Sequence, residues 1–268
     1  LPELPEVETI VRDLAKSLPH KKFSDVIVHD PFVLRQKKED FIRRIKGQTV
    51  EKISRRGKAI AIELSSGEIL VVQVMMTGQL ILKGVVDKHT RITFVLSDGN
   101  KLLYNDQRRF GQLRVVADLS EINYFNILGP DPFSKDFTPA FMQEAFQRSS
   151  RPIKNILLDH TVVAGIGNIY ACEILFRSRI DPKRQACQLK PAELKALHRN
   201  ALDILQEAII HRGSSMRNYR DAGGEKGKFN QRLKVYAREG MPCPRCGKPI
   251  KRIVQAGRST FYCGHCQK

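Results

Sequence analysis

The chain has 268 residues and a formal net charge of +18. That length suits two modest domains or one large one with an appendage, and the charge sets up a field favouring a polyanion, of which nucleic acid is the commonest. No run of about 18 apolar residues occurs and the leading residues are acidic, which excludes a spanning helix and a secretory leader and predicts a soluble, cytosolic protein without membrane contact.

The leading segment Leu1-Pro2-Glu3-Leu4-Pro5-Glu6-Val7-Glu8 puts a proline and a carboxylate where a chain is ordinarily least ordered. With Leu1 removed, Pro2 is a free secondary amine, able to add to an aldehyde-like carbon and form a cationic iminium, with Glu3 beside it as acid or base. The alternative is that Pro2 and Pro5 only stiffen the lead into a helix. Val7, Ile10, Val11, Leu14 and Leu18 then recur at helical spacing and predict an amphipathic helix with its stripe turned inward. Short apolar or alternating runs at 26–28, 59–64, 69–76, 91–96, 101–104 and 112–116 read as strands, and Asp98-Gly99 as a hairpin turn. One helix followed by several short strands predicts a β-sandwich or barrel with a helix laid across it.

Leu128-Gly129-Pro130-Asp131-Pro132 breaks both patterns and marks a domain boundary. The clearest later helix opens at Pro191, repeats Leu194, Leu197, Ala201, Leu205 and Ala208 on one face, and closes at Gly213. From Ser214 to Lys228 the chain is polar and glycine-rich, a length of loop that is usually functional or disordered. These patterns divide the chain into 1–128, a linker 129–137, a helical domain 138–239 that includes the polar loop, and 240–268.

Of the six cysteines, Cys243-x-x-Cys246 and Cys263-x-x-Cys266 stand sixteen residues apart, the spacing of a ribbon that closes a tetrahedral four-cysteine site. Four thiolates leave no open position for water, so one structural Zn2+ is predicted, supplying folding energy to a segment with little core of its own. Cys172 and Cys187 are left unpaired. Between the knuckles, Gly257-Arg258-Ser259-Thr260 suits a hairpin tip offering Arg258 to a phosphate. Gly165-Ile166-Gly167-Asn168 lacks the third glycine of a dinucleotide fingerprint, since Tyr170 stands there, but two glycines before a helix let a phosphate approach backbone amides; an ordinary interhelical turn is the other reading. Lys58 follows Arg55-Arg56-Gly57 in a turn. Met76 and Arg108-Arg109-Phe110 also fall in turns, where apolar wedges and an arginine suit the unstacking of a base pair, although core packing would explain Met76 and Phe110 equally.

In their order along the whole chain, Pro-Glu-Leu-Pro-Glu-Val-Glu at 2–8, Arg-Arg-Gly-Lys at 55–58, Met-Thr-Gly at 76–78, Arg-Arg-Phe-Gly at 108–111, Leu-Gly-Pro at 128–130, Gly-Asn-Ile-Tyr at 167–170 and the ribbon resemble the formamidopyrimidine-DNA glycosylase family. The resemblance implies an α+β multidomain fold: an N-terminal β-sandwich with a leading helix, a helix-two-turn-helix domain and a C-terminal zinc ribbon. It implies a monomeric bifunctional DNA glycosylase and abasic-site lyase, bacterial, cytoplasmic and nucleoid-associated, acting on duplex DNA that contains oxidised purines. Pro2, Glu3, Lys58 and Arg258 are implied in catalysis, with Glu6 supporting. Met76, His89, Arg108, Phe110, Lys154 and Asn168 are implied in DNA contact, and the polar loop 217–229 in covering the flipped purine.

Gln73, Cys172 and Ser259 depart from common family residues at their positions without removing a catalytic group. Leu1 matters more, because a retained leucine would acylate Pro2; a non-standard start codon read as leucine accounts for it. The alternatives are an oxidised-pyrimidine enzyme of the same fold, or a non-enzymatic DNA-binding protein if Leu1 is retained.

Overall fold

The computed structural model describes residues 2–216 and 218–268, so the expectation for Leu1 and the Arg217 end of the polar loop lie outside the described residues. The chain forms two compact units, Leu1–Asn126 with Ile209–Asn230, and Ile127–Ala208 with Gln231–Lys268.

The first unit begins with helix α1 (Leu4–Ala15), which Glu3 caps and Pro5 opens in its first turn. The apolar stripe predicted for it is buried, and continues to Leu18 just beyond the helix end. Strands β1 (Phe23–Val28), β2 (Val50–Arg56), β3 (Ala59–Leu64), β4 (Ile69–Gln73), β5 (Gly78–Leu82), β6 (Thr90–Leu96), β7 (Lys101–Asp106) and β8 (Gln112–Val116) make two four-stranded sheets, ordered β1-β6-β7-β5 and β2-β3-β4-β8. All pairings are antiparallel. Ile60, Ile62, Leu70 and Val72 from one sheet and Leu80, Phe94, Leu102 and Tyr104 from the other share a core with the α1 stripe. This is the sandwich with a leading helix that the sequence predicts. Two short helices, α2 (Lys38–Ile45) and α3 (Asn123–Asn126), and the 3-10 turns Pro31–Val33 and Leu119–Glu121 also belong to this unit.

Three strands depart from the sequence reading: β4 ends early, and β5 and β2 lie outside every predicted run. The predicted run 69–76 ends at Gln73, because Met75 turns left-handed at φ 50, and β5 starts afresh at Gly78. A Cβ at Gly78 would sit 2.1 Å from the Val74 carbonyl oxygen, so only glycine permits that reversal. The β2 strand escapes the alternation test because buried Val50 and Ile53 are spaced among Glu51, Lys52, Arg55 and Arg56.

The segment Ile209–Asn230, grouped by sequence with the helical domain, packs in the first unit instead. Tyr219 and Ala222 join the sandwich core, and the Leu82 N–H donates to the Ala222 carbonyl at 2.8 Å.

The second unit contains α4 (Pro139–Gln147), α5 (Ile153–Leu158), α6 (Asn168–Ser178), most of α7 (Pro191–Ile210) and a hairpin of β9 (Lys251–Gln255) with β10 (Arg258–Tyr262). Gly165 at φ 90 reverses the chain after α5, and Gly167 is the N-cap of α6, as the two-glycine pattern suggests. The face of α7 predicted to be apolar is buried. Ala256 and Gly257 both adopt positive φ, 47 and 70, the geometry of a two-residue hairpin turn.

Candidate active site and metal centre

Pro2 is buried one residue ahead of the N-cap, with Glu3 4% and Glu6 1% exposed. The Glu3 N–H donates to Glu6 Oε2 at 2.8 Å, while Glu6 Oε1 accepts the Ser214 N–H at 2.6 Å. Tyr219 donates its hydroxyl to the Glu6 carbonyl at 3.2 Å, and burial together with the nearby Glu6 charge raises the pKa of that phenol well above its ordinary value. Arg212 ties the same segment down, bridging Asp13 of α1 and Asp221. The backbone at Pro2 and Glu3 is therefore held by a capping box on one side and by the returning 209–230 segment on the other.

Lys58 leaves the β2–β3 turn, where Gly57 has φ 59. The turn is fixed by Arg55, whose Nε donates to Glu8 of α1 at 2.9 Å and whose NH1 donates to the Gly57 carbonyl at 2.9 Å. The Lys58 N–H reaches the Tyr124 hydroxyl at 3.4 Å. A charge pair between Glu8 and Arg55 thus links the helix that follows Pro2 to the strand that ends at Lys58.

The proposed wedge residues converge. Arg108 lies 4.5 Å over the Phe110 ring and donates to Met76 Sδ at 3.4 Å. Met76 and Phe110 are 41% and 44% exposed, which rules out simple core packing. Both turns are organised by Asp106, which is fully buried. It accepts from the Thr77 hydroxyl, the Tyr104 hydroxyl at 3.3 Å, the Arg108 N–H at 3.2 Å and the Gly111 N–H at 2.8 Å. His89 lines a polar pocket of about 220 Å3 together with Thr77, Gln79, Asp87, Asn105 and Arg220.

In the second unit, Lys154 is fully buried and donates from Nζ to Thr260 Oγ1 at 2.6 Å and to the Ser259 carbonyl at 3.3 Å. Asn168 donates to the same Ser259 carbonyl at 2.9 Å. Arg258, the next residue toward the hairpin tip, is exposed. The structure therefore gathers Lys154, Asn168 and Arg258 around one strand end.

The four predicted cysteine ligands have sulfurs within 4.8 Å of one another. Cys243 and Cys266 are 3.9 Å apart and Cys246 and Cys263 3.5 Å, close to the roughly 3.8 Å edge of a tetrahedron with 2.3 Å zinc–sulfur bonds. The Arg245 N–H points at the Cys243 sulfur and the Cys266 N–H at that of Cys263, each at 3.4 Å, donors that would steady thiolates. The donor set fits a structural zinc. Cys172 and Cys187 form no disulfide among the described residues.

Three positions escaped sequence reasoning. Asp106 offered only an aspartate before a turn. Gln79 donates its side-chain amide to the Asn218 carbonyl, a link no local pattern announces. Glu173 on α6 accepts the N–H groups of Lys234, Val235 and Tyr236, where the chain runs on toward the ribbon. Burial raises its carboxyl pKa in spite of those donors.

Residues 1–113 match the family model for the formamidopyrimidine-DNA glycosylase N-terminal domain, 128–220 that for the H2TH domain of the same enzymes, and 240–268 the zinc finger found in FPG and IleRS. Formamidopyrimidine-DNA glycosylases of Desulforamulus reducens and Pelotomaculum thermopropionicum are 41% and 42% identical, each over 100% of this chain and 99% of the relative. The crystal structure of the MutM (Fpg) protein of Thermus thermophilus is 40% identical, with a TM-score of 0.91 over 99% of this chain and 98% of that one. A Lactococcus lactis Fpg variant in complex with Fapy-dG-containing DNA superposes at 0.93 with 35% identity, covering 100% of both chains. With the sandwich, the helical unit and the cysteine cluster all matched end to end, the chain belongs to the formamidopyrimidine-DNA glycosylase family.

Proposed function

We propose that the protein is a bifunctional DNA repair enzyme that excises oxidised purines, 8-oxoguanine and formamidopyrimidines, from duplex DNA and cleaves the strand at the abasic site. The observation that carries the reading is the buried Pro2-Glu3-Glu6 constellation at the start of α1, in a chain similar throughout to DNA-bound glycosylases. In chain order we assign catalysis to 1–128, a linker to 129–137, DNA binding by helix-two-turn-helix to 138–239 and the zinc finger to 240–268, with 209–230 serving the catalytic unit. We assign the enzyme to the bacterial cytoplasm, on the nucleoid, a reading that the bacterial sources of the relatives support.

The chemistry follows from a terminal secondary amine. The Pro2 lone pair forms a bond to C1′ as the glycosidic bond breaks; the base departs with the pair of the broken bond and takes up the proton that the Pro2 nitrogen gives up. Glu3 protonates the ring oxygen as C1′–O4′ opens, leaving an iminium between Pro2 and C1′. The cation acidifies the C2′ proton, so successive β- and δ-elimination expel the two flanking phosphates. The Glu6 carboxylate, by accepting the Glu3 N–H, fixes the direction of the Glu3 backbone. Lys58 reaches toward the lesion phosphate, and Arg258, Lys154, Asn168 and His89 serve the backbone around it. Met76, Arg108 and Phe110 fill the space of the extruded base, with Arg108 facing its former partner.

Borohydride trapping tests this. Protein beginning at Pro2, mixed with duplex 8-oxoguanine DNA and borohydride, should yield a covalent adduct that peptide mapping places on Pro2, and Glu3→Gln should bind that DNA without excising the base. An adduct mapped to Lys58, or equal trapping by a chain whose mass shows Leu1 retained, would overturn the terminal-proline mechanism.

A further inference from the structure

The turn that carries Arg108 and Phe110 holds a second arginine–aromatic pair that no step above uses. Arg109 lies between those two residues with φ 59, a left-handed conformation that splays its side chain from theirs. Its guanidinium is 5.3 Å from the centroid of the Phe32 ring, and its NH1 is 3.6 Å from Asp30 Oδ2. Asp30 caps the turn Pro31–Val33 by accepting the Phe32 N–H at 3.0 Å, and also meets Arg91 at 3.6 Å. Arg91 in turn donates to the Asp106 carbonyl at 2.8 Å. Phe32 is thereby fastened to the residue that organises the wedge.

Despite that scaffolding, Phe32 is 62% exposed, more than Phe110 at 44%, while the adjacent Val33 is completely buried. A ring that serves only the core would be turned inward, where burial stabilises it. Here a guanidinium lies over the ring while most of the residue stays exposed. A wedge that enters a duplex kinks it and unstacks the neighbouring base step, leaving bare base faces beside the wedge. An aromatic ring with an arginine over it, on a chain of net charge +18, is the chemistry that receives such a face and its phosphate.

We infer that Phe32 and Arg109 form a second stacking platform, receiving the base that neighbours the orphaned base on the strand opposite the lesion. The inference rests on the DNA-repair reading above and adds to it a contact surface for the undamaged strand.

The test uses the full chain and a duplex carrying a stable abasic analogue, with 2-aminopurine in the opposite strand next to the orphaned position. Stacking on Phe32 should keep 2-aminopurine dim in the parent complex. Phe32→Ala should brighten it and weaken binding about 5- to 150-fold, the range for one lost base–aromatic contact, while Phe32→Trp should keep it dim. Unchanged thermal melting of the variants would confirm that they fold. Weaker binding by Phe32→Ala with unchanged fluorescence would show that the ring only props Arg109, and would overturn the platform. So would unchanged affinity. Excision of 8-oxoguanine by the parent, measured alongside, separates the two readings: excision without the fluorescence effect removes the platform alone, and no excision removes the repair reading and the platform with it.

Discussion

The Glu6 carboxylate accepts the Ser214 N–H at 2.6 Å, joining residues 208 positions apart. Its other oxygen holds the Glu3 N–H, so one side chain fixes both the proposed catalytic end and the segment that returns to it. Gly213 makes the approach possible: it has φ 77, and a Cβ there would lie 2.8 Å from Glu6 Oε1. Gly213→Ala should therefore cost about 1–3 kcal/mol through the left-handed backbone alone, and more through displacement of Glu6. A lowered thermal midpoint together with slower 8-oxoguanine excision is expected. A variant that melts and excises like the parent would show that the Glu6–Ser214 link does not position the Pro2–Glu3 backbone.

Asp106 should be the most sensitive position of the wedge although it touches no DNA in the proposed arrangement. Asp106→Ala leaves the Thr77 and Tyr104 hydroxyls and the Arg108 and Gly111 N–H groups without their carboxylate. Each buried donor left unpaired costs about 1–3 kcal/mol, so a fall in the urea midpoint is expected. Asp106→Asn, which keeps one acceptor oxygen, should fold better yet still extrude a paired 8-oxoguanine more slowly than a mismatched one, because the Met76 and Arg108 turns lose their common anchor. Equal slowing on both substrates would assign Asp106 to stability alone.

Which of these relations the sequence discloses depends on whether the physics is local. The α1 stripe repeats every three to four residues and the ribbon cysteines keep their spacing, so both are legible without tertiary information. The β2 strand is not, because only Val50 and Ile53 among its seven residues are buried hydrophobics and the charges between them mask the alternation. Nor is the return of 209–230 to the sandwich, where the segment adds only Tyr219 and Ala222 to the core cluster and is otherwise tied by long-range hydrogen bonds and ion pairs. The Asp106 hub draws its donors from Thr77, Tyr104, Arg108 and Gly111, two of them separated from it by a chain reversal or a turn, and no window along the chain brings them together.

The metal centre should matter to DNA binding through the hairpin it anchors. Zinc is expected at one per chain, and metal binding worth about 10–16 kcal/mol in comparable peptides would account for order in so small a segment. Cys246→Ser, prepared with chelator, should bind lesion DNA at least about tenfold more weakly, since Ser259, which meets Lys154 and Asn168, lies on the strand that leads into Cys263. Arg258→Ala in zinc-loaded protein should flatten the salt dependence of binding by about 0.9 in slope, the value for one phosphate released. An unchanged slope would give Arg258 a role other than phosphate contact.

Gln79 should separate the two activities. Its side-chain amide donates to the Asn218 carbonyl, pinning the polar segment to β5 immediately after Gly78 and the Met76–Thr77 turn. Nothing in the lyase step needs a covered base, because the abasic sugar has none, whereas glycosylase action requires the flipped purine to stay in place. Gln79→Ala should therefore slow 8-oxoguanine excision about tenfold, the equivalent of one hydrogen bond of roughly 1.4 kcal/mol, and leave cleavage of a preformed abasic site within about twofold. Gln79→Glu should be worse near neutral pH, since a carboxylate set against a carbonyl oxygen repels it and has no proton to donate. Part of that excess loss should be recovered as pH falls toward the carboxylate range, where the new side chain regains a donor, once each rate is divided by that of Gln79→Ala at the same pH. If Gln79→Ala slows excision and abasic-site cleavage equally, the Asn218 contact holds the sandwich together and does not hold a covering loop over the base.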